Sequence, residues 1–333
     1  MSESTSESTS EPTKIGQYEV LEQLGAGAAG AAYRARHAET GDEVAVKLLH
    51  AQTEGDIELQ QRFVREAGVL ERLDHPNIVR HCECGIHDDK LFLAMELVSS
   101  GTLNDVLKKR GPLPWRVATE AAIQICDALT HAHEQGVIHR DLKPANLFLS
   151  GEGEVKVGDF GLARDLHQSR LTVEGQTVGT CKYMAPEQVQ GKGDLTGAVD
   201  LYALGCLLFE MLSGRAPFDG ATLVEVFEKH LFADPPNVAS VAPSTPPTLA
   251  QVVQNLLAKK PEDRPADAAA AKELLQAVLR GETLPESLEP TNLAEQLAAP
   301  TPEPAAPNVG RLAVVFAIVV AVAIGVWVAM RAG

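Results

Sequence analysis

Cysteine is scarce in this chain: 5 residues in 333, an odd number. That excludes a disulfide scaffold and points to a reducing compartment. Positive charge is also in short supply, with 29 Lys and Arg against 45 Asp and Glu, a formal net charge of −16 at pH 7. Such a balance argues against the phosphate backbone of nucleic acid as the main partner. The first residues have neither the basic start nor the apolar stretch of a secretory signal, so the N-terminus is expected to stay on the side of the membrane where it is made. What the chain does have is 45% hydrophobic and 22% charged residues, enough for a sizeable core in one large domain or two lobes.

Residues 1–14, MSESTSESTSEPTK, form a small SEST repeat that cannot build a core and read as a solvated tail. From about 18 to 280 the pattern is that of a folded domain. Short alternating runs at Tyr18–Leu24 and Glu43–Leu49 predict strands, whereas Ala118–Gln135, Val199–Ser213 and Ala268–Leu279 have helical length and spacing. The expectation is an α+β architecture, a small strand-rich lobe to about residue 95 and a larger helical lobe over about 99–280. Residues 281–310 carry six prolines, five glutamates and no Lys or Arg, the composition of an extended linker. Leu312–Met330 then runs for nineteen residues without a charge between Arg311 and Arg331. At about 1.5 Å per residue it matches the bilayer hydrocarbon and is expected to cross a membrane once. One arginine on each side does not decide orientation; the absent signal and the large N-terminal part lead to the expectation of a cytoplasmic domain, with three residues translocated and no outer sensor domain. Ala317, Ala321 and Gly325 recur every four residues in that run, a spacing that suits helix contact but is common in apolar spans.

Gly25, Gly27 and Gly30 have the spacing G-x-G-x-x-G between two strand-like runs. Glycine permits close approach of the backbone to phosphates, although Gly-Ala turns of this kind are common. The following run, Ala31–Arg36, reads as a second strand, so the motif is a glycine hairpin and not the strand-to-helix turn of a dinucleotide fold. Lys47 ends the apolar segment Val44–Val46. In the helix predicted over Ile57–Leu73, Phe63, Ala67 and Leu70 mark an inward face that Glu66 shares, so a desolvated Glu66 needs a cation, for which Lys47 is the candidate.

Farther along stand His139-Arg140-Asp141-Leu142-Lys143-Pro144-Ala145-Asn146, then Asp159-Phe160-Gly161, then Ala185-Pro186-Glu187. In this order, over roughly residues 18–280, the set resembles the eukaryotic-type (Hanks-type) Ser/Thr protein kinases, most closely bacterial membrane-anchored members. The resemblance implies a two-lobed kinase fold and transfer of the ATP γ-phosphate to Ser or Thr hydroxyls of proteins, with autophosphorylation, in signalling. It implies that Asp141 accepts or orients the substrate hydroxyl, that Lys143 reaches the γ-phosphate and that Thr180 lies beside both. Asn146 and Asp159 would hold Mg2+, with Mn2+ as an alternative, and Lys47 would contact the α- and β-phosphates while paired to Glu66. Leu24, Gly25, Ala26, Gly27, Ala28, Ala29, Gly30 and Ala32 would cover ATP. Ala45 and Phe148 would sandwich adenine, Met95 would be the gatekeeper, and the Glu96 and Val98 backbones would bond the base. Glu187 would pair with Arg264, and Asp200 would bond the catalytic loop. A pseudokinase scaffold and a small-molecule phosphotransferase are the rival readings; the complete charged set speaks against the first, and Thr180 with Ala185-Pro186-Glu187 against the second.

The chain departs from the family pattern at Ala29 and Ala32, where larger residues are usual. Less apolar cover raises the ATP requirement, on the order of 1 kcal/mol per missing methyl group. In the activation segment, Glu174 stands where related bacterial kinases often have a threonine. It would supply part of the charge of a phosphate to Arg140, leaving Thr172 and Thr177 as phosphosites; a merely solvated glutamate is the alternative. A second copy of the chain would serve autophosphorylation in trans. His81, Cys82, Cys84 and His87 lack zinc-finger spacing and read as residues of two strands joined at Asp88-Asp89. Cys181 reads as a buried, inert thiol, with an oxidation-sensitive one as the alternative.

Overall fold

The computed structural model describes residues 12–27, 30–52, 57–160 and 181–282. The chain divides into two units, one comprising residues up to 72 with 80–97, the other 73–79 with the chain from 98 onward.

The first unit is built on a six-stranded antiparallel sheet in the order β1-β2-β3-β4-β6-β5. Its strands are β1 (Lys14–Ile15), β2 (Tyr18–Gly27), β3 (Gly30–His37), β4 (Glu43–Gln52), β5 (His81–His87) and β6 (Lys90–Glu96). Alternation assigns the two faces. Tyr33, Ala35, Val44, Val46, Phe92 and Ala94 are buried together with Ile15 and Tyr18 in one cluster. Residues one step away in each strand, Ala32, Ala45, Lys47 and Met95, belong to the opposite face. Asp88 and Asp89 both have positive φ, 46° and 56°, which is the primed turn that a two-residue hairpin requires. Helix α1 (Ile57–Leu70) buries Phe63, Ala67 and Leu70. It ends three residues earlier than the apolar pattern suggests, because Leu73, though buried, lies beyond a turn at residues 71–72.

The second unit is helical apart from the ribbon β7 (Leu147–Leu149) with β8 (Val155–Val157). Its helices are α2 (Leu103–Arg110), α3 (Trp115–Glu134), α4 (Pro186–Val189), α5 (Ala198–Ser213), α6 (Leu223–Phe232), α7 (Val238–Val241), α8 (Pro247–Leu256) and α9 (Ala268–Arg280). Helix α5 is apolar almost all round, and its buried residues run nearly unbroken from Val199 to Leu212, the signature of a core helix. Gly205 lets it approach the Leu256–Leu257 turn, since a β-carbon there would fall 2.8 Å from Leu256 Cβ. Helix α3 buries Ala118, Ala122, Ile125, Cys126, Leu129 and Ala132, and α9 packs against it. Local sequence marks the ends: Thr102, Thr222 and Asp267 cap α2, α6 and α9, and Gly214 and Gly281 close α5 and α9 in left-handed conformations. Among the described residues no helix is long and apolar enough to cross a membrane; the linker and the apolar run 312–330 lie outside them.

Candidate active site

In the second unit, the loop from His139 to Asn146 carries a dense set of polar contacts. Asp141 Oδ2 accepts from Lys143 Nζ at 2.8 Å and from Asn146 Nδ2 at 3.3 Å. Asn146 Nδ2 also donates to the Asp141 carbonyl at 2.8 Å. The loop has no ladder of its own, so buried side chains hold it. Asp200, at the start of α5 and fully buried, accepts from the backbone N–H of His139 and of Arg140 and from His133 Nε2, each at 2.8 Å. Gly197 gives His133 room to reach it, since a β-carbon there would fall 2.6 Å from the ring. His139 Nδ1 accepts from the Asp141 N–H at 3.2 Å, which leaves the proton on Nε2 to donate to the Gly158 carbonyl at 2.9 Å.

These bonds hold an unusual backbone. Arg140 has φ 62° and Asp159 φ 57°, left-handed values that cost non-glycine residues roughly 1–2 kcal/mol each. Strain of this kind persists where surrounding bonds over-determine it and concentrates at functional sites. Gly158, just before Asp159, has no space for a β-carbon, which would meet the Phe148 ring at 2.7 Å. The segment is therefore threaded between Phe148 and Val79 before it turns.

Asn146 and Asp159 offer oxygen donors of the hard type that suits Mg2+. Both bonds from Asn146 to Asp141 use the amide nitrogen, so they engage the amide without spending its carbonyl oxygen. The donor set thus fits a magnesium ion. Among the described residues no group of three His, Cys, Asp or Glu side chains is placed to hold a metal.

Helix α4 is anchored beneath this loop. Arg264 forms a buried two-pronged pair with Glu187, at 2.7 and 2.9 Å, and also donates to the carbonyls of Ala258, Ala198 and Lys259. Just before α4, Cys181 is wholly buried against Met184, Val189, Val226 and Leu231. Lys182 pairs with Asp219 at 2.8 Å. The Tyr183 hydroxyl donates to Glu210 at 2.5 Å, while burial pushes the Glu210 carboxyl above its usual range.

In the first unit, the three glycines of the hairpin differ in what their neighbours demand. A β-carbon on Gly30 would fall 2.1 Å from the Leu48 carbonyl oxygen, so glycine is a requirement of the fold there. Gly25 and Gly27 have open space where a β-carbon would go, so their bareness is not imposed by protein neighbours. It suits a ligand that lies against the backbone, as phosphates do. Register puts Gly25 opposite Ala32, Ala32 opposite Lys47, and Ala45 opposite Met95. Hence Ala32, Ala45, Lys47 and Met95 share one face, with Leu24 exposed on the same hairpin and Glu96 ending β6.

The structure brings Asp141, Lys143, Asn146, Arg140 and Asp200 together and pairs Glu187 with Arg264. Ala28, Ala29, Thr172, Glu174, Thr177 and Thr180 lie outside the described residues, as do the side chain of Glu66 and with it the proposed Lys47–Glu66 pair. Cys82 and Cys84 lie on the edge strand β5, where burial raises both thiols above their usual range. Sequence reasoning passed over His133, Gln188 and the inward role of His139. For His133, the one signal is position: it follows Leu129 by four residues on the buried side of α3.

The protein kinase domain family matches residues 18–278. The serine/threonine-protein kinase PkaA of Streptomyces coelicolor is 39% identical over an alignment covering 87% of this chain and 55% of that protein. PrkC of Bacillus subtilis is 38% identical, covering 75% of this chain and 38% of PrkC, and PknJ of Mycobacterium tuberculosis is 38% identical, covering 79% and 46%. The chain therefore spans less than two thirds of the length of these relatives. The crystal structure of the PknI kinase domain of Mycobacterium tuberculosis superposes with a TM-score of 0.64 at 27% identity, covering 79% of this chain and 96% of that one. With the family's pattern matched over most of its length, the chain belongs to the protein kinase domain family.

Proposed function

We propose that the protein is an ATP-dependent serine/threonine protein kinase that autophosphorylates and acts at a membrane. The observation that carries the reading is the Asp141 carboxylate held by Lys143 and Asn146 on a strained, multiply bonded loop.

The two donors fix Oδ2 and with it the plane of the carboxylate, so that Asp141 presents an acceptor to a Ser or Thr hydroxyl. As the hydroxyl oxygen bonds to the γ-phosphorus, its proton passes to Asp141 and the bond from the γ-phosphorus to the β–γ bridging oxygen breaks, releasing ADP. The transition state is loose, and catalysis consists mainly of positioning and charge stabilisation. Lys143 would follow the γ-phosphoryl group and Lys47 would hold the α- and β-phosphates. Asn146 and Asp159 would hold the magnesium ion, which supplies charge neutralisation on the phosphates; manganese has the same donor preference. The Gly25–Gly30 hairpin and Ala32 would cover the phosphates, and Ala45, Met95, Phe148 and the Glu96 and Val98 backbones the base.

Thr180 would complete the substrate side, and Arg140 would receive the charge of Glu174, or of phosphate on Thr172 or Thr177, in regulation. Leu312–Met330 anchors the domain at the cytoplasmic face, and a second copy serves autophosphorylation in trans. Support for the anchor is its nineteen-residue uncharged length.

The test is to incubate residues 1–310, wild type and Asp141→Asn, with magnesium, labelled ATP and a basic protein acceptor, and to map the label by mass spectrometry. Label on Ser or Thr that the substitution abolishes is the expected result. ATP binding without transfer in the wild type would overturn the reading in favour of a scaffold.

A further inference from the structure

Gln188, the last residue but one of α4, spans two segments with one side chain. Its Oε1 accepts from the backbone N–H of Ala185 at 3.0 Å, and its Nε2 donates to the carbonyl of Arg140 at 3.0 Å. The partners dictate the orientation of the amide, because an N–H can only donate and a carbonyl can only accept.

The carbonyl so held belongs to the peptide that joins Arg140 to Asp141. The N–H of that same peptide is held by His139 Nδ1, and the N–H of Arg140 by Asp200. The peptide plane preceding Asp141 is thus clamped on its carbonyl side by Gln188 and on its N–H side by His139. It is the plane that follows Arg140, whose left-handed φ of 62° is held in turn by the bond from its own N–H to Asp200. Nor is the clamp a loose one: the neighbouring Glu187 is tied in two places to buried Arg264, so α4 is a fixed base from which Gln188 reaches up.

We propose that Gln188 is a positioning residue for Asp141, setting the direction of its carboxylate through the Arg140 carbonyl. The inference rests on the reading of Asp141 as the residue that takes the substrate proton. It also gives α4 a mechanical link to the loop that carries Asp141. Its weight falls on the transition state, where the hydroxyl and the carboxylate must be aligned, and not on ATP binding.

Two variants of the full chain test it. Gln188→Met keeps the length and removes both bonds. Gln188→Glu keeps the acceptor, loses the donor when ionised, and regains a donor when protonated, the acid being close in shape to the amide. The expected result is a fall in kcat of about ten-fold for each, the worth of one carbonyl left without its donor, with KM for ATP changed less than about two-fold. The ratio of Gln188→Glu to wild-type activity should rise as pH is lowered from neutral. Wild-type kcat in Gln188→Met, or a loss in both variants that follows a drop in melting temperature and has no pH-dependent recovery, overturns the proposal. A wild-type chain that transfers no phosphate would instead defeat the kinase reading itself, so the two failures are distinct.

Discussion

The two units position their candidate site residues with different kinds of bond. In the first, Gly25, Ala32, Ala45 and Lys47 owe their places to strand register, which backbone groups supply whatever the side chains are. In the second, Asp141 and Asn146 sit on a loop whose course depends on particular side chains, among them Asp200, His139 and Gln188. A ladder accepts a changed side chain wherever there is room. A side-chain lattice loses a support with each changed residue and leaves its buried partner unsatisfied.

The sharpest way to break this comparison is at Asp200. Asp200→Ala removes the acceptor for two backbone N–H groups and for His133 at once. Phosphate transfer should fall by roughly 100-fold or more and stability by about 3–5 kcal/mol, read from turnover and urea unfolding. Preserved turnover would mean that the loop holds its shape without the lattice. Next in size is Arg264→Ala, which strands the buried Glu187 carboxylate and should cost about 3–5 kcal/mol in the same unfolding experiment, lowering turnover through α4.

The glycine hairpin supplies the contrasting pair. Gly30→Ala drives a β-carbon into the Leu48 carbonyl at a φ of 154° and should destabilise by about 2 kcal/mol or more. Gly27→Ala has open space and should leave stability within about 0.5 kcal/mol while raising KM for ATP roughly five-fold, a binding loss of about 1 kcal/mol. Equal stability losses in the two variants, by thermal melting, would erase the distinction between a glycine demanded by the fold and one left bare for a ligand.

The smallest effect lies at Lys259, which donates to the carbonyls of Lys229 and His230 at the end of α6 and lies 4.1 Å from the Phe218 ring centroid. Burial pulls its amine down from 10.5 to about 8. Between those values the unfolded chain holds the proton more tightly than the folded one, so this lysine makes stability rise with pH over that window. Lys259→Met should lose that rise, which then stands out as the difference between wild-type and variant profiles, where the opposing titration of the buried thiol Cys126 cancels. Parallel profiles would show that Lys259 titrates normally.

Much of this architecture was legible because its signals are local. The strands from Tyr18 and Glu43 and the helices over α3, α5 and α9 follow from alternation and apolar spacing, each a pattern contained within one element. The site motifs could be read for the same reason: Asp141, Lys143 and Asn146 are near neighbours in sequence, and what joins them is a short loop. Helix α1 stops at Leu70, short of the apolar pattern, because Leu73 is buried beyond a turn and apolar spacing alone runs on past the helical hydrogen bonds.

What the sequence by itself determined is the inventory: which units are strand and which helix, where glycine is concentrated, and which carboxylates, amides and lysines are available for phosphate chemistry. Only the tertiary structure decided which of them bear on one another. Gln188 meets Arg140 across 48 residues and His133 meets Asp200 across 67, whereas the Glu187–Arg264 pair, across 77, is foreseen only through the family resemblance. The physical reason is that spacing along the chain reports bonds made within one helix or one hairpin. A buried polar contact between distant segments has no period, and it becomes readable only when packing has desolvated its partners and left each with a single place to put its proton or lone pair.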